Sequence, residues 1–370
     1  MKPTKNRSLT FALLLAVTAF TLGSASLEAQ LGHALKPSSE PFPYHLAEPL
    51  AMPVFDETAA GQEVEVEAAP QKEDNSPIVS RPGRAPIVDR MPRVQVLDAE
   101  TVSSIVEIRQ VSQRNVGIGK GGGQFTSSRV IPPVATRAYP YSAVGKVFMT
   151  FPDEGDFECS AAVIAPRIIL TAGHCVHLGQ GGADGFVSRL SFLPGYHEGN
   201  PIGEWQATYI ITTDTWLKGG GRVPNAADYA LVELADNQRG RIGDVVGWLG
   251  WITKRLQPNH ITMLGYPGAL DGGQWMHVSS GQSVRGGGAA TVLYGSDMTE
   301  GSSGGPWVQN FGEPAEGQEG GANDAPNLIA GVMSYVYTQP GVFLAGSSVL
   351  DQRFLQMLDQ ICAHQDGNCD

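Results

Sequence analysis

From residue 143 onward, apolar and β-branched residues come in short runs separated by Gly, Pro and Asn. The runs 143–151, 160–164, 168–171, 207–213, 229–234, 261–264, 290–294, 328–335 and 342–344 are each of strand length. Such runs, divided by turn residues, predict a closed β architecture and not alternating helices and strands. One helix is expected at the end of the chain. Ser348-Val349-Leu350-Asp351 is a candidate capping box, and Leu350, Phe354, Met357, Leu358 and Ile361 fall on one apolar face. Residues 30–129 read differently. Pro41, Pro43, Pro49, Pro53, Pro70 and Pro77 alternate with acidic runs such as Glu63-Val64-Glu65-Val66-Glu67, and no apolar period is held for long. That segment predicts little core of its own, with local structure at most over 97–111.

The first residues change the picture. Lys2, Lys5 and Arg7 precede an apolar run at 9–22, and Gly23-Ser24-Ala25 then offers a small-residue cleavage site, with Ala29 as a second. This is the pattern of a secretory signal; the run is short for a membrane anchor, and no longer apolar segment follows. The full chain, with 42% hydrophobic residues, can bury a sizeable core, and its 46 glycines and 25 prolines suit turns and short strands. A formal net charge of −12 argues against a nucleic-acid partner, which needs clustered Lys and Arg.

Four cysteines fit an exported protein. Cys159 and Cys175 lie in strand-like runs, and Cys362 and Cys369 sit near the C-terminus. Three connectivities are open. With no CxxC pair and no zinc-ligand spacing, structural disulfides are favoured over a metal site, and no cofactor is implied. Gly119-Lys120-Gly121-Gly122-Gly123 lacks phosphate-loop spacing and reads as a linker.

Three segments carry chemistry. Thr171-Ala172-Gly173-His174-Cys175 ends an apolar run with an imidazole, and Ala227-Asp228-Tyr229 sets a carboxylate just before another. Gly301-Ser302-Ser303-Gly304-Gly305-Pro306 is a tight turn with a serine at its centre. A serine hydroxyl needs a base to take its proton and a third group to orient that base. Each piece alone is ordinary: a core histidine, a turn aspartate, a glycine turn. Together, in the order His, Asp, Ser, they point to nucleophilic catalysis.

These segments resemble the triad motifs of the trypsin/chymotrypsin superfamily. Ala138-Tyr139-Pro140-Tyr141, Gly265-Tyr266-Pro267-Gly268 and Gly273-Gln274-Trp275-Met276-His277 are further similar to segments of bacterial glutamyl endopeptidases. The resemblance covers roughly 130–358. It implies an all-β fold of two six-stranded antiparallel barrels with a C-terminal helix, and a site in the crevice between them. It also implies Ser303 as nucleophile, His174 as base and then acid, and Asp228 as the group that orients His174. The N–H groups of Gly301 and Ser303 would form the oxyanion hole, and Cys159 and Cys175 match the superfamily pair that ties down the histidine loop.

Two departures stand out. Ser302 replaces the aspartate that in trypsin-like enzymes pairs with the new N-terminus after zymogen cleavage. Asp297 lies where trypsin keeps the aspartate that binds Arg or Lys; glutamyl endopeptidases carry one there too, and a structural role is favoured over a pocket base. The substrate-binding positions implied are Met298, Met333, Ser334 and Val336. Methionines cannot neutralise a carboxylate, so strict glutamate specificity is not expected, and an apolar, narrow pocket is. A polypeptide substrate, a monomer and no membrane anchor after signal cleavage complete the expectation. The domains expected are a signal at 1–25, a propeptide or linker at 26–129 and a peptidase domain at 130–370, the mature chain starting near Val130.

Two rivals are weaker. The turn also satisfies the Gly-x-Ser-x-Gly elbow of α/β-hydrolase esterases, but that order needs a histidine after the serine, leaving only His364. A catalytically silent binding relative usually lacks a triad residue, whereas this chain keeps all three. An acidic, glycine-rich insertion at 311–327 reads as an exposed loop.

Overall fold

The computed structural model describes residues 31–55, 77–86, 127–288, 290–312, 325–337 and 343–370. The signal at 1–25, the 97–111 stretch, the Gly119–Gly123 run and most of the 311–327 insertion lie outside the described residues. Among those described, no helix is long and apolar enough to cross a membrane.

Five short strands precede the main body: β1 (Leu31–Ala34), β2 (Glu48–Pro49), β3 (Val54–Phe55), β4 (Ser80–Arg81) and β5 (Ser128–Arg129). The first barrel is made of β6 (Val144–Phe151), β7 (Gly155–Val163), β8 (Ile168–Thr171), β9 (Arg189–Pro194), β10 (Trp205–Thr212) and β11 (Ala230–Leu234). These pair antiparallel in the order β10-β11-β8-β7-β6-β9, and β9 returns to β10, so the ladder closes. Closure shortens the free edges of this sheet to parts of β10 and β7, which suits strands such as β8 and β11 that are buried along their whole length.

The second sheet holds β12 (Gly250–Ile252), β13 (His260–Gly265), β14 (His277–Gly288), β15 (Thr291–Gly295), β16 (Pro306–Gln309), β17 (Leu328–Val332), β18 (Tyr335–Tyr337) and β19 (Leu344–Ser348). Here the structure differs from the expected second closed barrel. Its ladder runs β18-β19-β15-β14-β13-β16-β17 and is interrupted between β17 and β18, at Met333-Ser334. The reason is local. The Met333 carbonyl accepts the Gly304 N–H at 2.8 Å, and the Met333 N–H donates to the Gly305 carbonyl at 2.9 Å. The backbone that would continue the strand instead holds the serine-bearing turn.

Residues 31–55 and 77–86 lie on this body without forming a core of their own. β1 extends the first barrel along β10, β2 lies parallel to β7, β3 lies parallel to β18, and β4 pairs with β12. Phe42 is buried against Phe148, and Arg189 sits over its ring. Sheet edges thus satisfy backbone groups that a proline-rich segment cannot pair internally.

The final helix, Gln352–His364, buries Phe354, Met357, Leu358 and Ile361 as expected, but its N-cap is Asp351, whose carboxylate accepts the Arg353 N–H. Ser348 is not in the cap. It ends β19, and its hydroxyl accepts the Asp228 N–H at 3.0 Å and donates to the Asn225 carbonyl at 2.7 Å. Both cysteine pairs are bonded, Cys159 to Cys175 and Cys362 to Cys369.

Candidate active site

Strand register brings two of the three segments together. Ala230 pairs with Thr171, so Asp228, just before β11, and His174, just after β8, emerge at the same end of the first barrel. His174 sits in a short helical turn, Gly173–Cys175, that the disulfide ties to β7. Trp216 backs the turn. Its ring lies 6.0 Å from that of His174, and its Nε1 donates to the His177 carbonyl at 2.8 Å.

Asp228 is fully buried and accepts three hydrogen bonds. The His174 N–H donates to Oδ1 at 2.9 Å, and Nδ1 of His174 lies 2.8 Å from Oδ2. The Ser334 hydroxyl donates to Oδ2 at 2.6 Å. A buried carboxylate can only accept, so Nδ1 carries the proton and the lone pair is left on Nε2. Among the described residues, Nε2 of His174 and Oγ of Ser303 are both buried and without a hydrogen-bond partner.

The serine turn is fixed from both bodies. The Ser303 carbonyl accepts the Ser160 N–H at 2.7 Å, and the Ser160 hydroxyl donates to the Gly301 carbonyl at 2.8 Å. Gly304 adopts φ +76°, and a Cβ there would stand 2.1 Å from Oγ1 of Thr171 and 2.8 Å from the Ala172 nitrogen. Only glycine lets the turn approach the histidine strand this closely. Gly301, at φ +84°, is constrained likewise: a Cβ would lie 2.7 Å from the Tyr266 carbonyl. Neither the Gly301 nor the Ser303 N–H donates to a backbone carbonyl among the described residues. Two unspent backbone donors beside an unpaired hydroxyl can stabilise an oxyanion.

Met298 and Met333 are buried in one apolar cluster with Met52, Ile261 and Trp307, and Val336 packs at its edge. Ser334, placed with the substrate-binding set from sequence, donates its hydroxyl to Asp228. Asp297 points at the chain upstream of the domain: its Oδ1 accepts both the N–H, at 2.8 Å, and the hydroxyl of Ser127.

Two neighbours escaped the sequence reading. Lys146 and Glu158 form a buried ion pair at 2.6 Å in the wall of the first barrel, and Lys146 also donates to the Gly273 carbonyl at 2.8 Å. Burial pushes the Lys146 ammonium down and the Glu158 carboxyl up, while each partner's charge acts against that push. In the same loop as Gly273, Asp271 bridges Arg129 and His277; burial pushes its carboxyl up, but those partners outweigh that and hold it low, and burial lowers His277.

His174 lies within reach of the sulfurs of Cys159 and Cys175, three potential ligand atoms within 4.8 Å. Both sulfurs are committed to one disulfide and supply no thiolate, so this grouping is not a metal site.

The family profile described as Trypsin matches residues 133–341, more than half of the chain. The chain belongs to the trypsin family of serine endopeptidases. It is 30% identical over 146 residues to a glutamyl endopeptidase of Bacillus licheniformis, covering 38% of this chain and 42% of that protein. Over 188 residues it is 23% identical to a Bacillus subtilis protein named an extracellular metalloprotease, covering 49% of this chain and 56% of that one. The chain therefore spans about half the length of the curated relatives it matches. Among solved structures it is similar to a thermostable serine protease, AL20, from an extremophilic microorganism. There the TM-score is 0.51 and the identity 26%, over 60% of this chain and 98% of that chain.

Proposed function

We propose that this protein is an exported serine endopeptidase in which Ser303, His174 and Asp228 act as a catalytic triad on polypeptide substrates. The observation that carries the reading is the pairing of loose ends: an imidazole locked on one side by Asp228, with Nε2 free, and a serine Oγ also free. Nε2 of His174 takes the Ser303 proton as Oγ attacks the substrate carbonyl carbon. The N–H groups of Gly301 and Ser303 hold the oxyanion. His174 then passes the proton to the leaving amine, the C–N bond breaks, and water releases the acyl group by the same steps in reverse. Ser334 positions Asp228. The enzyme acts as a monomer, without a membrane anchor once the signal at 1–25 is removed.

The pocket of Met298, Met333 and Val336 is apolar. Cleavage-site profiling with a diverse peptide library is expected to show medium aliphatic residues, methionine included, on the acyl side of the cut bond. Cleavage confined to Arg and Lys would place Asp297 in the pocket and overturn this assignment; its bond to Ser127 supports the structural role.

The segment upstream of the domain is removed on maturation in this reading. A start at Val130 would discard β5, with its pairing to β14 and the Arg129–Asp271 ion pair. A cut just ahead of Ser127 would keep them. N-terminal sequencing of the active secreted protein is expected to give a start within 127–130. Full activity with a start at Ser26 or Gln30 would contradict removal.

A further inference from the structure

We infer that residues 48–55 form an intramolecular inhibitor, lying in the substrate cleft with the chain running backwards and Met52 anchored in the specificity pocket. The inference rests on the serine peptidase reading and adds how that site is kept silent.

The contacts follow the cleft from one body to the other. Glu48 and Pro49 pair parallel with Phe157 and Glu158 on the first barrel, and the Leu50 N–H donates to the Glu158 carbonyl at 3.0 Å. Pro49 covers the turn that carries the oxyanion donors. A Cβ on Gly268 would stand 2.6 Å from Cγ of Pro49, and one on Gly301 would stand 3.4 Å from its Cβ. Met52 is 6% exposed and belongs to the same apolar cluster as Met298 and Met333. Beyond it, the Pro53 carbonyl accepts the Val336 N–H at 3.3 Å, and Val54 and Phe55 pair parallel with Val336 and Tyr337. An edge strand commonly takes an extended peptide in this way, by backbone bonds plus one side-chain anchor.

Polarity separates this ligand from a substrate. His174 belongs to the first barrel and must protonate the leaving nitrogen, so the leaving half of a substrate, which is its C-terminal half, lies over that barrel. The acyl half then lies along Val336. Residues 48–55 are placed the other way round, with the N-terminal half on β7 and the C-terminal half on β18. Reversal exchanges the peptide nitrogen and carbonyl with respect to Ser303 and His174. The segment fills the pocket, yet its bonds do not present a leaving nitrogen to Nε2. Pro49 and Pro53 strengthen the effect, because neither has an N–H to donate and both stiffen the backbone.

The test compares the full chain with two variants. Met52→Asp would bury a carboxylate in an apolar pocket and expel the anchor. Leu50→Pro removes the donor to Glu158 at the other end. The rate of Ser303 labelling by a small fluorophosphonate is followed by mass spectrometry, and hydrogen exchange at the Val336 amide reports the seating of the segment without reference to catalysis. The expected result is slow labelling and a protected Val336 amide in the unaltered chain. Each variant should label at least ~10-fold faster with its Val336 amide exposed, and a synthetic peptide of residues 46–55 should slow it again. Equal labelling rates in all three proteins would overturn the inhibitory role. If none labels while Val336 exchange still rises in the variants, the serine reading itself fails, and inhibition with it.

Discussion

Ser303→Ala and His174→Ala are each expected to lower kcat by ~10⁴–10⁶, with no further loss when they are combined, because the triad works as a unit. The geometry gives different expectations for the residues behind them. Asp228→Asn would set the imidazole in the wrong tautomer, since an amide NH₂ facing Nδ1 drives the proton to Nε2, and a loss of ~10⁴ follows. Ser334→Ala removes one of three donors to the carboxylate, leaving both bonds from His174. One hydrogen bond to a charged group contributes about 1.5–3 kcal/mol, so a loss of roughly ten- to a hundredfold is expected. Rates are compared on protein freed of the upstream segment by the same added peptidase in every case. Near-normal turnover in His174→Ala would defeat the assignment.

Lys146→Met is expected to cost about 3–5 kcal/mol of stability, measured by urea unfolding, because it strands a buried carboxylate. Lys146 is fully buried and Glu158 nearly so, with side-chain exposures of 0% and 4%. Besides Glu158 and the Gly273 carbonyl, the ammonium stands 5.2 Å over the Phe148 ring and 5.1 Å over that of Tyr196. The pair holds no evident role in the chemistry, so the double change Lys146→Met with Glu158→Leu should restore most of the loss. A cost below about 1 kcal/mol for Lys146→Met alone would mean that Glu158 finds water or another partner.

The proposed chemistry was legible because its three side chains sit at strand ends, inside motifs whose order alone is informative. His174, Asp228 and Ser303 could be singled out together with Gly301, and the apolar character of Met298 and Met333 could be read directly. Lys146 could not. Within the run 143–151 it reads as one exposed residue of a strand, and only the register, with Lys146 opposite Ser160 and Phe148 opposite Glu158, puts the two charges diagonally together. Ser348 has a capping sequence, but its hydroxyl bonds across the fold, to the Asp228 N–H and the Asn225 carbonyl. β14 was missed because its residues are mostly polar or glycine, so its strand character comes from β13 and β15 on either side. The docking of residues 48–55 was equally hidden. It consists of two-residue pairings and one anchoring side chain, which leave no periodicity to detect.

The central claim is that Ser303 is a nucleophile activated by His174. It is tested most directly by intact and peptide mass spectrometry of the active secreted protein after brief fluorophosphonate treatment. The account predicts a single adduct on Ser303, abolished by Ser303→Ala and nearly so by His174→Ala in the folded protein. An adduct on another residue, or one on Ser303 that forms as fast without His174, would contradict it.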